Sequence, residues 1–294
     1  MPTNMKLTSK KINGYTIYYY IGGDRIHKFL GKWKSGSPPR EPCFSKIIEM
    51  EVEPGYVVVD VGTNVGYYTS MILARMNKRG VIYAAEPDDR NYYAFVKFVR
   101  ANKLGSMIKI KNVAVAGHKG SVCFYLCKKA TNLSSIVKTR HSWKMVDVKC
   151  TTVGGLTGGK IPNFVKMDIE GSEVEVLGGM YSLVADNKAP CKILMEVHPK
   201  LYDKNRSFVS QLESYFSIGF VPKYIVSATS RCPVVFKKLG YTPSVLSPTG
   251  VRRAIYTGVS CDDALFLCSA EHKEYCPSKK KSGKSVRAIL LERV

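Results

Sequence analysis

Acidic residues are scarce in this sequence: 23 Asp and Glu stand against 45 Lys and Arg in 294 residues, a formal net charge of +22. A deficit of that size either draws polyanions or an anionic membrane surface across a Debye length of about 8 Å, or describes a lysine-rich solvated surface with no such partner. Long apolar runs are missing as well. None approaches the roughly 20 residues that cross a bilayer, which excludes a helical membrane span, and the polar start MPTNMKLTSKKING predicts no signal peptide. Close cysteine pairs are absent too: the nine cysteines are scattered without a CxxC, which argues against a disulfide framework and predicts a reducing, cytoplasmic setting. Neither GxGxxG nor GxxxxGK[ST] occurs, so the dinucleotide and triphosphate-loop readings lose ground.

What is present is enough apolar residue, 45% of the chain, to bury a full core as one large domain with appendages or at most two domains. The chain is organised around Tyr56 to Ser70, YVVVDVGTNVGYYTS. The β-branched run to Val61 predicts a strand buried on both faces, Gly62 and Gly66 bracket a turn, and Tyr67 to Met76 has helical composition. Asp60 then falls at the carboxyl end of the strand, where open α/β sheets place their ligand crevice. Val81 to Glu86 predicts a second strand, and Glu86 ends it about 20 positions beyond the glycine turn, the spacing of a carboxylate that bonds ribose hydroxyls. Asp60 and Glu86 are expected to flank one nucleoside.

Further along, Asp88 and Asp89 cap a helix to about Asn102, and Met107 to Ala116 predicts a third strand whose end, Asn112 to Ala114, lies beside the base of that nucleoside. Gly120 to Leu126 and Lys144 to Val153 predict strands on either side of a polar loop containing Asn132-Leu133-Ser134-Ser135, positioned to cover a site. Ile161 to Ile169 is a fourth core strand carrying Asp168 at its end, and Cys191 to Val197 a fifth ending in Glu196, with His198 just outside. Four acids gathered on one sheet edge in so basic a chain mark a site. The flanks are less regular. Residues 1–40 predict a small β addition in which Tyr15 to Ile21 pairs with a strand returning over Lys28 to Lys34, and the tyrosines at 18, 19 and 20 read as sheet packing rather than base stacking. Residues 41–230 form the core. Tyr224 to Ser227 and Ala264 to Cys268 are candidate closing strands, and residues 231–294 also hold an insertion with Lys237, Lys238, Arg252 and Arg253 and a basic tail at Lys279 to Lys284.

The motifs DVGTNVGYYT (60–69), YAAEPD (83–88), NVAVAGHKG (112–120), KMDIEGSEVEVLGGM (166–180) and ILMEVHP (193–199) together resemble the FkbM family of S-adenosylmethionine-dependent methyltransferases, over roughly residues 41–199. The resemblance implies a class I methyltransferase fold, Rossmann-like, with a mostly parallel sheet and helices on both faces. It implies S-adenosylmethionine as cofactor, with donor contacts at Asp60, Gly62, Asn64, Gly66, Glu86 and Asp168, to which Pro87 and Ala114 are added beside the adenosine. It also implies transfer of methyl to a hydroxyl of a sugar, glycan or other small molecule.

Such a transfer needs an oxygen held near the methyl carbon and a group that removes its proton. Asp168 is the candidate for positioning, and Glu196 and His198 are candidate bases. Their blander readings are a loop contact for Glu196 and a turn histidine for His198, which precedes Pro199. An ion shared by Asp168, Glu170 and Glu196 is conceivable, but no spacing fixes a ligand set and no metal is predicted. The arrangement Cys268-x3-His272-x3-Cys276 lacks close pairs and reads as incidental rather than as a zinc site. The alternative from the charge is an RNA methyltransferase gripping phosphates, although the fifth strand ends in Glu196 with no lysine at the matching place of the tetrad that ribose 2′-O enzymes share.

Overall fold

The computed structural model describes residues 6–12, 15–21, 25–32, 34, 39, 41–128, 130–202, 205–228, 230–247, 252–269 and 285–293. The basic tail at Lys279 to Lys284 and the residues His272 and Cys276 lie outside them. In chain order the elements are β1 (Lys6–Ile12), β2 (Tyr15–Ile21), α1 (Arg25–Lys32), α2 (Pro42–Glu51), β3 (Val57–Val61), α3 (Tyr67–Arg75), β4 (Val81–Ala85), α4 (Asp89–Ala101) and β5 (Ile108–Lys111). Then come β6 (Ala114–Val115), β7 (Gly120–Cys127), β8 (Ser142–Thr151), α5 (Val153–Thr157), β9 (Phe164–Met167), α6 (Glu173–Ala185) and β10 (Cys191–Glu196). The last are α7 (Phe208–Ser217), β11 (Val221–Ser227), α8 (Val234–Lys238), β12 (Val245–Leu246), β13 (Ala254–Tyr256), α9 (Cys261–Cys268) and β14 (Val286–Arg293).

One nine-stranded sheet runs β12-β13-β11-β14-β10-β9-β3-β4-β5. From β10 to β5 every pairing is parallel, and β14 enters antiparallel between β10 and β11. The β-branched run of β3 buries both faces: Val58 belongs to one buried cluster with Ile47, Ile72, Phe95 and Phe98 of α2, α3 and α4, while Val59 and Val61 belong to the cluster on the other face with Leu177, Leu212 and Ala264 of α6, α7 and α9. Helices on both faces and parallel strands put every strand tip from β5 to β10 along one edge. Among the described residues no helix is long and apolar enough to cross a membrane.

The structure departs from the sequence reading in three places, two in the flanks and one in the core. Lys28 to Lys34 is not a returning strand: Lys28 and Leu30 would share a strand face, yet Lys28 is exposed and Leu30 buried, and α1 is a helix. The third strand breaks after Lys111, because the Asn112 side chain donates to the Glu86 and Pro87 carbonyls and diverts β6 into a separate sheet with β8 and β7. Ala264 to Cys268 is helical, since Ser260 caps α9 by accepting from the Asp263 N–H and Asp262 and Asp263 suit its N-terminal dipole. The strand read at Tyr224 to Ser227 is part of β11, and β14 is inserted between it and β10, its run Ala288-Ile289-Leu290-Leu291 wholly buried with alternate residues facing the two cores. The β1–β2 hairpin lies against α3 and α4, where Tyr19 is fully buried with its ring 5.4 Å from Phe98, and Asn102 bonds the Tyr18 N–H and C=O. Leu290→Ala is expected to cost about 2–5 kcal/mol in denaturant unfolding; a cost under about 1 kcal/mol contradicts the central place of β14.

Candidate functional site

Beyond β3 the chain turns through Gly62-Thr63-Asn64-Val65-Gly66. Gly62 has φ +73°, and a Cβ there would come 2.7 Å from the Asp168 carbonyl oxygen and 2.8 Å from Ile169 Cγ2. Any larger residue forces apart the two loops that the site is built from. Gly66, at φ +89°, caps α3, and a Cβ there would meet the Phe95 ring at 2.8 Å, so it seats the turn on α4. Asn64, at φ +53°, donates its backbone N–H to Glu86 Oε2 at 2.9 Å, and Glu86 Oε1 accepts from the Asp88 N–H at 2.9 Å. Burial pushes the Glu86 carboxyl up to about 7, with the charge of Asp88 adding and the two N–H bonds opposing.

Asp60 has a different setting. Its fully buried carboxylate takes Lys166 Nζ at 3.1 Å and the Thr69 hydroxyl at 2.6 Å. Lys166 also donates to the carbonyls of Gly62 at 2.9 Å and Val61 at 3.3 Å, and lies 5.2 Å over the Tyr68 ring. The pair therefore ties β3, α3 and β9 together beneath the turn.

Above it opens a cleft of about 990 Å³, mouth included, at the tips of β3, β4, β9 and β10. Gly62, Asn64, Glu86, Pro87, Ala114, Asp168 and Glu196 line it; Asp60, Gly66 and His198 do not. The loop between β7 and β8 covers it through Asn132, Ser134 and Ser135, and Ser135 Oγ donates to the Glu170 carbonyl at 2.8 Å. Two lining atoms, Thr63 Oγ1 and Asn132 Oδ1, are buried without a hydrogen-bond partner. Buried polar atoms of that kind call for a ligand's hydroxyl or amino group. Among the described residues of 231–258, none lines the cleft.

At one end of the cleft the acids converge. His198, just past β10, places Nδ1 2.9 Å from Glu173 Oε1, and Nε2 lies 3.0 Å from Glu196 Oε1 and 3.4 Å from Glu170 Oε2. Glu173, in the first turn of α6, is fully buried and also accepts from the Tyr202 hydroxyl at 3.0 Å. Arg287 on β14 pairs with Glu196 and reaches Glu41 at 3.4 Å. Burial lowers the affinity of His198 for its proton, but Glu173 and Glu196 outweigh it and raise the imidazole to about 10, so at neutral pH it carries charge and has no lone pair with which to act as a base. Burial likewise raises Asp168, with Glu196 adding, and raises Glu170 to about 7 against the pull of His198. Glu170 itself sits at φ +53°, a conformation uncommon for a residue with a side chain.

Sequence reasoning left out Lys166, Glu173, Arg287 and Glu41. The KMDIEGSE motif contains the first two, and a lysine in a strand otherwise made of core residues signals a buried partner. Arg287 carried no comparable signal, since its strand was not recognised.

The methyltransferase FkbM domain model matches residues 60–241. Solved structures with a similar fold include a methyltransferase FkbM from Methylobacillus flagellatus KT, 16% identical, with 53% of this chain matched to 40% of that one at a TM-score of 0.37. Others are M. jannaschii TYW2 in complex with AdoMet, 12% identical, covering 100% of this chain and 90% of that one at 0.38, and a SAM-dependent O-methyltransferase from Thermotoga maritima, 11% identical, covering 100% and 78% at 0.40. No curated protein matches the chain.

A folded-state value of about 10 for His198 against 6.5 means that its contribution to stability is complete below pH 6.5 and fades as pH rises through 10. In an NMR titration of the ligand-free protein, the His198 ring is expected to remain protonated through pH 8, and Glu173→Gln to lower its midpoint by more than about one unit, about 1.4 kcal/mol. A neutral ring at pH 8 in the unaltered protein contradicts the assignment.

Proposed function

The chain belongs to the methyltransferase FkbM domain family, and from that premise we propose that it methylates a hydroxyl oxygen on a sugar, glycan or other small molecule in the cytoplasm. Its cofactor is S-adenosylmethionine, which when bound supplies a methyl group on a positively charged sulfur. The observation that carries the reading is the cleft, lined by a carboxylate pinned by two backbone N–H groups and by Thr63 and Asn132, whose buried side-chain oxygens have no partner. Glu86 is suited to the ribose hydroxyls, Gly62 and Asn64 to the backbone-lined wall, and Pro87 and Ala114 to the adenine. Asp60 and Gly66 act from below, holding that wall in place. The described cysteines are all free, as a reducing compartment requires.

At the other end Asp168 orients the acceptor hydroxyl and Glu196 takes its proton. An oxygen that gains a carbon becomes strongly acidic as it does so, and an ionised carboxylate is then base enough. Arg287 and His198 flank the Glu196 carboxylate with positive charge. His198 is thus a charge partner rather than the base. The second reading, an RNA acceptor, draws on the net charge and on Trp143, 58% exposed beside Lys128 on the outer face of β8.

Transfer of labelled methyl should be measured against a panel of sugars and glycans and against bulk RNA at two salt concentrations. Label is expected on the small hydroxyl acceptors as a base-stable ether, and salt-sensitive labelling of RNA alone overturns the acceptor class. In calorimetry, Glu86→Ala should weaken donor binding about tenfold or more, about 1.4 kcal/mol, while Lys46→Ala, on an exposed face of α2, leaves it unchanged.

A further inference from the structure

We propose that Asp168, Glu170 and His198 form a binding site for one divalent cation with the preferences of Mn2+. Each offers one ligand atom, and the three atoms lie within 4.8 Å of one another, close enough to share one ion at ordinary bond lengths. Two come from the loop after β9 and one from the segment after β10, so the neighbouring strand tips bring them together. Glu170 reaches the group from a left-handed backbone conformation, the kind of local cost that a fold retains at a working site.

The histidine supplies the second, independent observation. Its side chain is 9% exposed, and its Nε2 is buried and makes no hydrogen bond, although Glu196 Oε1 lies 3.0 Å away and Glu170 Oε2 3.4 Å away. At those distances an N–H aimed at either oxygen would bond it. The nitrogen points instead between them. Meanwhile Nδ1 is held at 2.9 Å by Glu173, which is fully buried and anchored by Tyr202 and by the Gly171 N–H. A carboxylate behind one ring nitrogen, with the other nitrogen turned toward acids, is how proteins orient a histidine that ligates a metal; the cation displaces the Nε2 proton that the ring carries in the ligand-free protein and takes over its positive charge beside Glu196.

Charge points the same way. Four acids, Asp168, Glu170, Glu173 and Glu196, stand against three described cations, Arg287, His198 and Lys166, and Lys166 is already bonded to Asp60 and the turn carbonyls. Two carboxylates with one imidazole suit Mn2+ better than Mg2+, which keeps to oxygen and water, or Zn2+, which favours more nitrogen or sulfur. Asp168 and Glu170 both line the cleft, so an ion there borders the acceptor end and is placed to lower the pKa of an acceptor hydroxyl, leaving the proton to Glu196. That consequence rests on the methyltransferase reading; the site itself does not.

The test is a titration of the full chain with Mn2+ alone, following the electron paramagnetic resonance signal of the free ion. One equivalent is expected to bind, with Glu170→Gln and His198→Gln each weakening uptake at least tenfold and circular dichroism confirming that the variants remain folded. If the unaltered protein takes up no Mn2+, or if folded variants of both residues bind as well as it does, the site is refuted. Calorimetry with S-adenosylmethionine on the same preparation separates the two questions: donor binding without Mn2+ uptake refutes the metal site alone, whereas Mn2+ uptake without donor binding supports the site and counts against the proposed function.

Discussion

The buried ion pair between Asp60 and Lys166 is the constraint on which the site depends. Both side chains are almost wholly removed from solvent, at 0% and 1% exposure, so each charge would be costly without the other. Removing one partner of such a pair typically costs about 3–5 kcal/mol. Here the same lysine also binds two carbonyls of the turn, and the same aspartate binds the hydroxyl of Thr69 on α3. The pair thus fixes the distance between the tips of β3 and β9, which the side-chain-free approach at Gly62 allows to be small. The floor of the cleft is set by electrostatics, and its walls by glycine.

On that floor the two ends of the cleft carry different chemistry. The Glu86 end is built from backbone: N–H groups of Asn64 and Asp88 grip a carboxylate, which suits recognition of hydroxyl groups. The Asp168 end is built from side chains of opposite sign packed at the tips of β9, β10 and β14. Burial raises the affinity of Asp168 and Glu170 for protons; Lys166, Arg287 and His198 restrain it at Asp168, and His198 and Arg287 at Glu170. The proposed function makes the first a binding end and the second a reacting end, a separation that the parallel topology permits, since each strand delivers one functional group to a common line.

Much of this was legible in the sequence because it is local. The run VVVDVG announces a buried strand and a turn, Glu86 follows at a fixed interval, and Asp168 and Glu196 end apolar runs whose length suits strands. The setting of Asp60 was not legible, because an acid at a strand tip reads the same whether it faces a ligand or a lysine on the next strand. Glu173 reads as a helix-dipole acid from its place in α6, and only the fold reveals that it is buried behind His198. The stretch 264–268 was ambiguous for a related reason: five mostly apolar residues satisfy either period, and the cap at Ser260 decides for the helix. The inserted strand β14 carries its own signal in AILL, but it is remote in sequence from the strands it joins, and Arg287 was missed along with it.

The most direct test of the account is an experimental structure of the protein with S-adenosylhomocysteine. The account predicts that the ribose hydroxyls lie on Glu86, that the adenine lies against Pro87 and Ala114, and that Asp60 remains on Lys166 without touching the ligand. A nucleoside bound elsewhere, or one held directly by an Asp60 released from Lys166, would contradict it.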